Sequence, residues 1–148
     1  MIKMKKILFT FSFLILSLAF IACDDDDKTV STSDLPATAQ AFLQTHFPSQ
    51  KVTRVEKDKD SYNVYLANGF EIEFKLSGEW DNVDGKGQQI PADIIALLPN
   101  TIPSYIAQHY PNQYIVEINK EHFGYEIDLN NNIELEFDSN GTFLRIDN

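Results

Sequence analysis

One cysteine, Cys23, stands in 148 residues, so no disulfide framework can hold this chain together. Signatures of common chemistries are missing as well: no HExxH or CxxC, no GxSxG nucleophile elbow, no glycine-rich phosphate loop. Positive charge is scarce, with 12 Lys and Arg against 22 Asp and Glu. A polyanion such as nucleic acid is therefore not the expected partner. The longest apolar run, Ile7 to Ala22, is marginal for the ~20 residues that cross a bilayer.

That run follows Lys3, Lys5 and Lys6 and is broken only by Thr10, Ser12 and Ser17, the pattern of a secretory signal over residues 1–22. Ile21, Ala22 and Cys23 resemble the end of a bacterial lipobox, with Phe20 where Leu is usual. The resemblance implies that Cys23 is lipidated and becomes the mature N-terminus; the alternative is an ordinary secreted protein with a stray thiol. Residues 23–34, DDDDK followed by a polar stretch, read as a solvated acidic tether. Acidic residues just after a lipidated cysteine resemble an export signal to the outer face of an outer membrane, and a charged spacer is the alternative. The expected location is an outer-membrane lipoprotein, surface-exposed or periplasmic. Loss of the signal leaves nine basic and 22 acidic residues, a net charge of −13.

Residues 35–84 align on residues 98–147 at a constant offset of 63 without a gap, and 15 of the 50 pairs are identical. A tandem duplication is the economical account. Its units run 35–89 and 90–148. Each opens on a helix: Ala39, Phe42, Leu43, His46 and Phe47 form one apolar face, repeated by Ile102, Tyr105, Ile106, His109 and Tyr110. Asp34 or Ser33 is placed to cap the first helix, and Pro48 and Pro111 stop the two helices. IPADIIALL adds a short extra helix before the second.

The period then switches to two, through Tyr62, Val64 and Leu66, the turn ANG, and Phe70, Ile72, Phe74 and Leu76. Tyr125, Ile127 and Leu129, then Ile133, Leu135 and Phe137, repeat the hairpin. Strands around Val52–Val55 and Ile115–Ile118, and a last strand after SGEW and NGTF, complete the pattern. The expected fold is α+β: two tandem repeats, each a helix followed by a four-stranded antiparallel meander, with the helices on one face of the sheet.

The LP helix starts, the HFP and HYP helix ends, GYEIDL followed by IELEF, and the terminal NGTFLRID resemble the PepSY-like family of exported bacterial proteins, also described as β-lactamase-inhibitor-protein-like. The likeness covers residues 35–148, with Ser61 departing from Gly124 of the second copy. It implies a non-catalytic exported module, with enzyme inhibition suggested by the analogy of fold.

Nothing else in the sequence points to catalysis, so no catalytic residue, cofactor or metal is assigned. Asp128, Asn130 and Asn132 have calcium-loop spacing, yet Ile133 replaces the required Gly and Ser139 the closing Glu. His46 and His109 fall in a last helical turn, where an imidazole reaches free carbonyls and the negative end of the dipole.

The outward face of the sheet carries more. Strand alternation exposes Asn63, Tyr65, Glu71, Glu73 and Lys75 in the first copy, and Glu126, Asp128, Glu134, Glu136 and Asp138 in the second. If Val83 and Ile146 face inward, Trp80 and Phe143 turn outward with Asn82 and Arg145. A bulge that turns both aromatics inward is left open, because LRI has apolar residues at both parities. The expected partner-binding set is Tyr65, Glu71, Glu73, Trp80, Asp128, Glu134, Glu136, Phe143 and Arg145. Aromatic anchors in acidic surroundings suit an unknown protein or peptide of the cell envelope or outside the cell, with the membrane reached only through the lipid. A glycan or small envelope ligand stacked on the aromatics is the alternative.

Overall fold

The computed structural model describes residues 28–147. The signal at 1–22, the proposed anchor Cys23 and Asp24 to Asp27 lie outside the described residues. The elements in order are β1 (Lys28–Thr29), α1 (Ala37–His46), β2 (Val52–Lys57), β3 (Ser61–Leu66), β4 (Glu71–Lys75), β5 (Trp80–Asp84), α2 (Ala92–Ile95), α3 (Thr101–His109), β6 (Ile115–Glu121), β7 (Gly124–Leu129), β8 (Glu134–Asp138) and β9 (Phe143–Asp147). All nine strands form one antiparallel sheet whose spatial order is the sequence order. The α+β class holds, but the sheet dominates. The two expected meanders are joined in it, β5 pairing β6 through Asn82↔Asn119, Val83↔Ile118 and Asp84↔Glu117.

The tether ends earlier than its polar composition suggests. Lys28 and Thr29 pair with Lys57 and Glu56, the Val30 N–H donates to the Val55 carbonyl at 2.9 Å, and Val30 packs on the core. Ser31 and Asp34 then close a 3-10 turn as a reciprocal capping box. Asp34 is thereby committed to Ser31 and does not cap α1, whose N-cap position is Pro36.

Period-two alternation places Val55, Val64, Ile72, Val83, Ile118, Ile127 and Leu135 along one buried face, and each is at most 2% exposed. Helices α1 and α3 cover this face, burying Ala39 and Leu43 and Ile102 and Ile106, and each adds one aromatic. Phe42 meets Phe74 edge-on at 5.6 Å and stacks on Trp80 at 6.0 Å. Tyr105, its counterpart 63 residues on, meets Phe137 at 5.5 Å and stacks on Phe143 at 4.6 Å. Leu76, expected on the apolar face, lies past the end of β4 and is exposed.

A register shift decides the fate of Trp80 and Phe143. Pairing is regular through Glu73↔Asn82, then slips so that Phe74 opposes Trp80, and the same slip puts Phe137 opposite Phe143 after Glu136↔Arg145. One extra residue reverses the parity beyond it, so both aromatics join Phe74 and Phe137 on the helix-covered face. Gly78 and Gly141 make the preceding turns with φ of +86° and +81°. A Cβ there would stand 2.6 Å from Pro36 Cβ and 2.7 Å from Pro99 Cβ respectively, so each turn needs glycine for its backbone and for the helix start packed on it.

Candidate functional site

The face opposite the helices is polar and crossed by two rows of directly opposed side chains. The first runs Arg54, Tyr65, Glu71, Asp84, Glu117, Asp128, Glu134, Asp147 from β2 to β9. Its last six members are carboxylates on six adjacent strands. The second runs Glu56, Asn63, Glu73, Asn82, Asn119, Glu126, Glu136, Arg145. Like charges directly opposite one another across strands are destabilising, so the first row stores repulsion in the folded sheet.

Cations relieve the two ends of this array. Lys86 Nζ lies 2.9 Å from Glu71 and also pairs Asp84, contacts that raise its own pKa. Arg54 reaches Glu56 at 3.2 Å and lies 3.9 Å over the Tyr65 ring, whose hydroxyl donates to Glu56 at 2.8 Å. At the other end Arg145 donates two hydrogen bonds to Glu136, at 2.8 and 2.6 Å. That pairing holds the Glu136 carboxyl below its ordinary value.

The middle of the array has no such relief. Among the described residues Glu117, Glu126, Asp128 and Glu134 form no ion pair with Lys or Arg; Glu117 accepts only from Asn82 Nδ2 at 2.7 Å. Burial raises the pKa of all four, and neighbouring carboxylates add to it. Asp128 is pushed up to about 6, by burial first and then by Glu117, Glu126 and Asp84. Its Oδ1 is buried without a hydrogen-bond partner. Glu126, Glu134 and Glu136 each bring one carboxylate oxygen within 4.8 Å of the others. Asp128, Asn132 and Glu134 also line a small hollow of about 170 Å³.

Seven of the nine residues expected to bind a partner lie on this face: Tyr65, Glu71, Glu73, Asp128, Glu134, Glu136 and Arg145. Trp80 and Phe143 do not. Trp80 is only 9% exposed, held between Phe42 and the Lys120 ammonium 3.7 Å from its ring, and Phe143 is half-buried under Tyr105. Asp84, Glu117 and Asp147 complete the acidic row and were missing from the expected set. Counting by twos from Val83 and Ile146 reaches Asp84 and Asp147, and from Ile118 reaches Glu117, whereas counting from Ile115 misplaces it because a bulge intervenes.

His46 sits in the last turn of α1 as expected, but its side chain pairs with a carboxylate rather than with a free carbonyl. Its Nδ1 lies 2.6 Å from Asp93 Oδ2, tying the end of α1 to α2, and this contact holds Asp93 below the usual carboxylate range. His109 stacks on Tyr105 at 4.2 Å. Two apolar hollows flank the HFP and HYP corners, one of about 320 Å³ lined by Leu43, Phe47 and Val52, the other of about 240 Å³ lined by Ile106, Tyr110 and Ile115. Neither has a charged side chain in its wall.

This architecture is similar to known structures. A protein of Bacteroides thetaiotaomicron described as "a putative calcium-regulated periplasmic protein" is 34% identical over 84% of this chain and 98% of its own, with a TM-score of 0.77. A Bacteroides vulgatus protein described as periplasmic is 36% identical over 84% and 99%, also at 0.77. A second B. vulgatus protein, described as periplasmic and of unknown function, is 34% identical over 82% and 99%, at the same TM-score. No curated protein matches the chain. The family model described as "Putative beta-lactamase-inhibitor-like, PepSY-like" matches residues 22–70 and again 60–145. With that match covering all but the last two residues of the described sheet, the chain belongs to the PepSY-like, β-lactamase-inhibitor-like family.

Proposed function

We propose that this is a non-catalytic envelope lipoprotein, anchored through Cys23, whose open sheet face captures a basic segment of a protein or peptide partner. The observation that carries the reading is the uninterrupted row Glu71, Asp84, Glu117, Asp128, Glu134, Asp147, whose centre forms no ion pair with Lys or Arg among the described residues. An incoming Lys or Arg would relieve repulsion already present in the free protein, so the charge gain on binding is larger than for an isolated surface carboxylate. The family description supports an inhibitory use of such a face, against an enzyme with a basic rim. The descriptions of similar structures as periplasmic support an envelope location; the proposed lipid anchor would sit in the outer membrane, facing either side. The equivalent contacts of Phe42 and Tyr105 support descent of the two halves from one duplicated unit. A glycan stacked on aromatics is disfavoured, because Trp80 and Phe143 are turned to the helices.

The test is binding of lysine-rich and glutamate-rich peptides to the chain from Asp24 onward, across a salt series. The lysine-rich peptide should bind, weaken as salt rises, and weaken again in Asp128→Asn with Glu134→Gln. Equal binding of both peptides, or indifference to the two substitutions, would sink the reading. Membrane fractionation of Cys23→Ser, which should release the protein from the membrane, tests the anchor separately.

A second reading has one specific support. The Glu126, Glu134 and Glu136 oxygens are close enough to share a hard cation, and a relative 34% identical is described as calcium-regulated. On this reading Ca²⁺ occupies the centre of the face. Calorimetry with CaCl2, using Glu126→Gln as the comparison, separates it from peptide capture: heat lost in the variant supports the ion, and no heat in the wild type excludes it.

A further inference from the structure

We propose that two copies of this chain join edge to edge through β9, extending the sheet across a two-fold axis at Ile146. The two outer edges of the sheet are treated differently. On one side β1 covers β2, pairing Lys28 with Lys57 and Thr29 with Glu56. On the other, β9 pairs with β8 and, among the described residues, with no other strand. An unprotected edge is a template for another strand.

The counterpart of β9 in the first half is β5, and there the corresponding edge is filled. Val83 pairs with Ile118 of β6 and is 0% exposed. Ile146, 63 residues on, is 44% exposed, and Leu144 beside it 49%. The apolar side chain that a neighbouring strand covers in β5 is thus left open in β9.

The backbone of Ile146 is aimed at that vacancy. The Leu129 N–H donates to the Ile133 carbonyl at 2.9 Å, so by alternation Ile127 and Leu135 form the next hydrogen-bonded pair and Leu135 directs its polar groups to β7. Glu134 then faces β9, Asp147 opposite it faces β8, and Ile146 presents its N–H and C=O outward.

The edge sequence Arg145, Ile146, Asp147 is complementary to itself when antiparallel. Centred on Ile146, the pairing sets Ile146 against Ile146, which exchange two hydrogen bonds, and each Arg145 against the other copy's Asp147. Asp147 is 3.8 Å from its own Arg145, and the other copy's guanidinium would stand directly opposite. An isologous contact of this kind closes as a dimer. Head-to-tail growth onto β2 is blocked by β1. The two acidic faces fall on the same side of the joined sheet, so a partner would meet two copies of the row.

So short a ladder lies at the small end of interfaces, and sedimentation over roughly 1 µM to 1 mM is the appropriate range. The chain from Asp24 onward contains every described element and lacks Cys23. Its mass should double with concentration. Ile146→Pro removes an N–H that β8 does not use, and Asp147→Arg sets like charges opposite one another; both should remain monomeric across the range, with far-UV circular dichroism confirming the fold. Ile146→Cys, as the only thiol, should be joined to its twin by a short bismaleimide, and Thr29→Cys on the covered edge should not. A wild type that stays monomeric, a dimer that survives Asp147→Arg, or crosslinking through position 29 instead of 146 overturns the proposal.

Discussion

Asp128→Asn probes the acidic row at a carboxyl whose pKa is raised by burial first and then by its neighbouring carboxylates. The gap between 3.8 and about 6 for this carboxyl corresponds to ~3 kcal/mol of preference for the protonated form in the folded protein. The side chain is only about half-buried, and solvent screening reduces the usable figure to ~1–2 kcal/mol. The direction follows from linkage. A carboxylate whose folded pKa is raised destabilises the folded state in full above about pH 6, and the penalty fades as both states protonate towards pH 3.8. Asparagine removes the charge and supplies an amide beside Glu117 and Glu126. The variant should therefore be more stable than the wild type by ~1–2 kcal/mol at pH 7.5 and no more stable near pH 3.5. For a domain of this size that is roughly 4–8 °C in Tm. Thermal unfolding followed by circular dichroism at the two pH values decides it. A variant no more stable at pH 7.5, or one that gains equally at both, would refute the account of Asp128 as a frustrated charge.

Trp80→Ala should cost ~3–5 kcal/mol in urea unfolding, since it empties a site packed by Phe42, Phe74 and Lys120, whereas Trp80→Phe should cost less because the counterpart position holds Phe143. Gly78→Ala and Gly141→Ala should each destabilise by ~1–3 kcal/mol for the left-handed backbone alone, and denaturant midpoints should fall in both variants because Pro36 and Pro99 crowd the new methyl group in the same way. Asp93 has its pKa lowered by His46, so the stability it contributes is present above about pH 4 and is lost as pH falls through its lower folded value. Asp93→Asn should flatten that part of the acid limb in a pH series of thermal melts.

The sequence made most of this fold legible because its signals are local and repeated. Apolar residues at helical spacing placed Leu43 and Ile106 in the core, and alternation placed Val64, Ile72, Ile127 and Leu135 there. Each of these inferences depends on periodicity within one element, and none depends on how elements meet. The joining of the meanders through Val83 and Ile118 was outside its reach, since short-range pattern does not say which strand lies beyond an edge. Seven of the nine expected site residues fall on the open face for the same local reason.

Trp80 and Phe143 show where such reasoning stops. Counting in twos from Val83 and Ile146 turns them outward, which is valid only while the ladder is regular, and the sequence leaves open the bulge that turns them inward. One residue of bulge on each strand, after Asn82↔Glu73 and after Arg145↔Glu136, inverts the result. The bulge is itself a consequence of packing: it brings an aromatic from the last strand of each half under Phe42 or Tyr105, completing a three-ring cluster beneath each helix. Those rings cannot also anchor a ligand on the opposite face. What remains there is Tyr65 beneath Arg54 and an array of carboxylates, a surface with little apolar area and a large uncompensated charge. On the proposed function such a surface selects by charge rather than by shape, and capture of a basic segment or a cation there should weaken as salt rises.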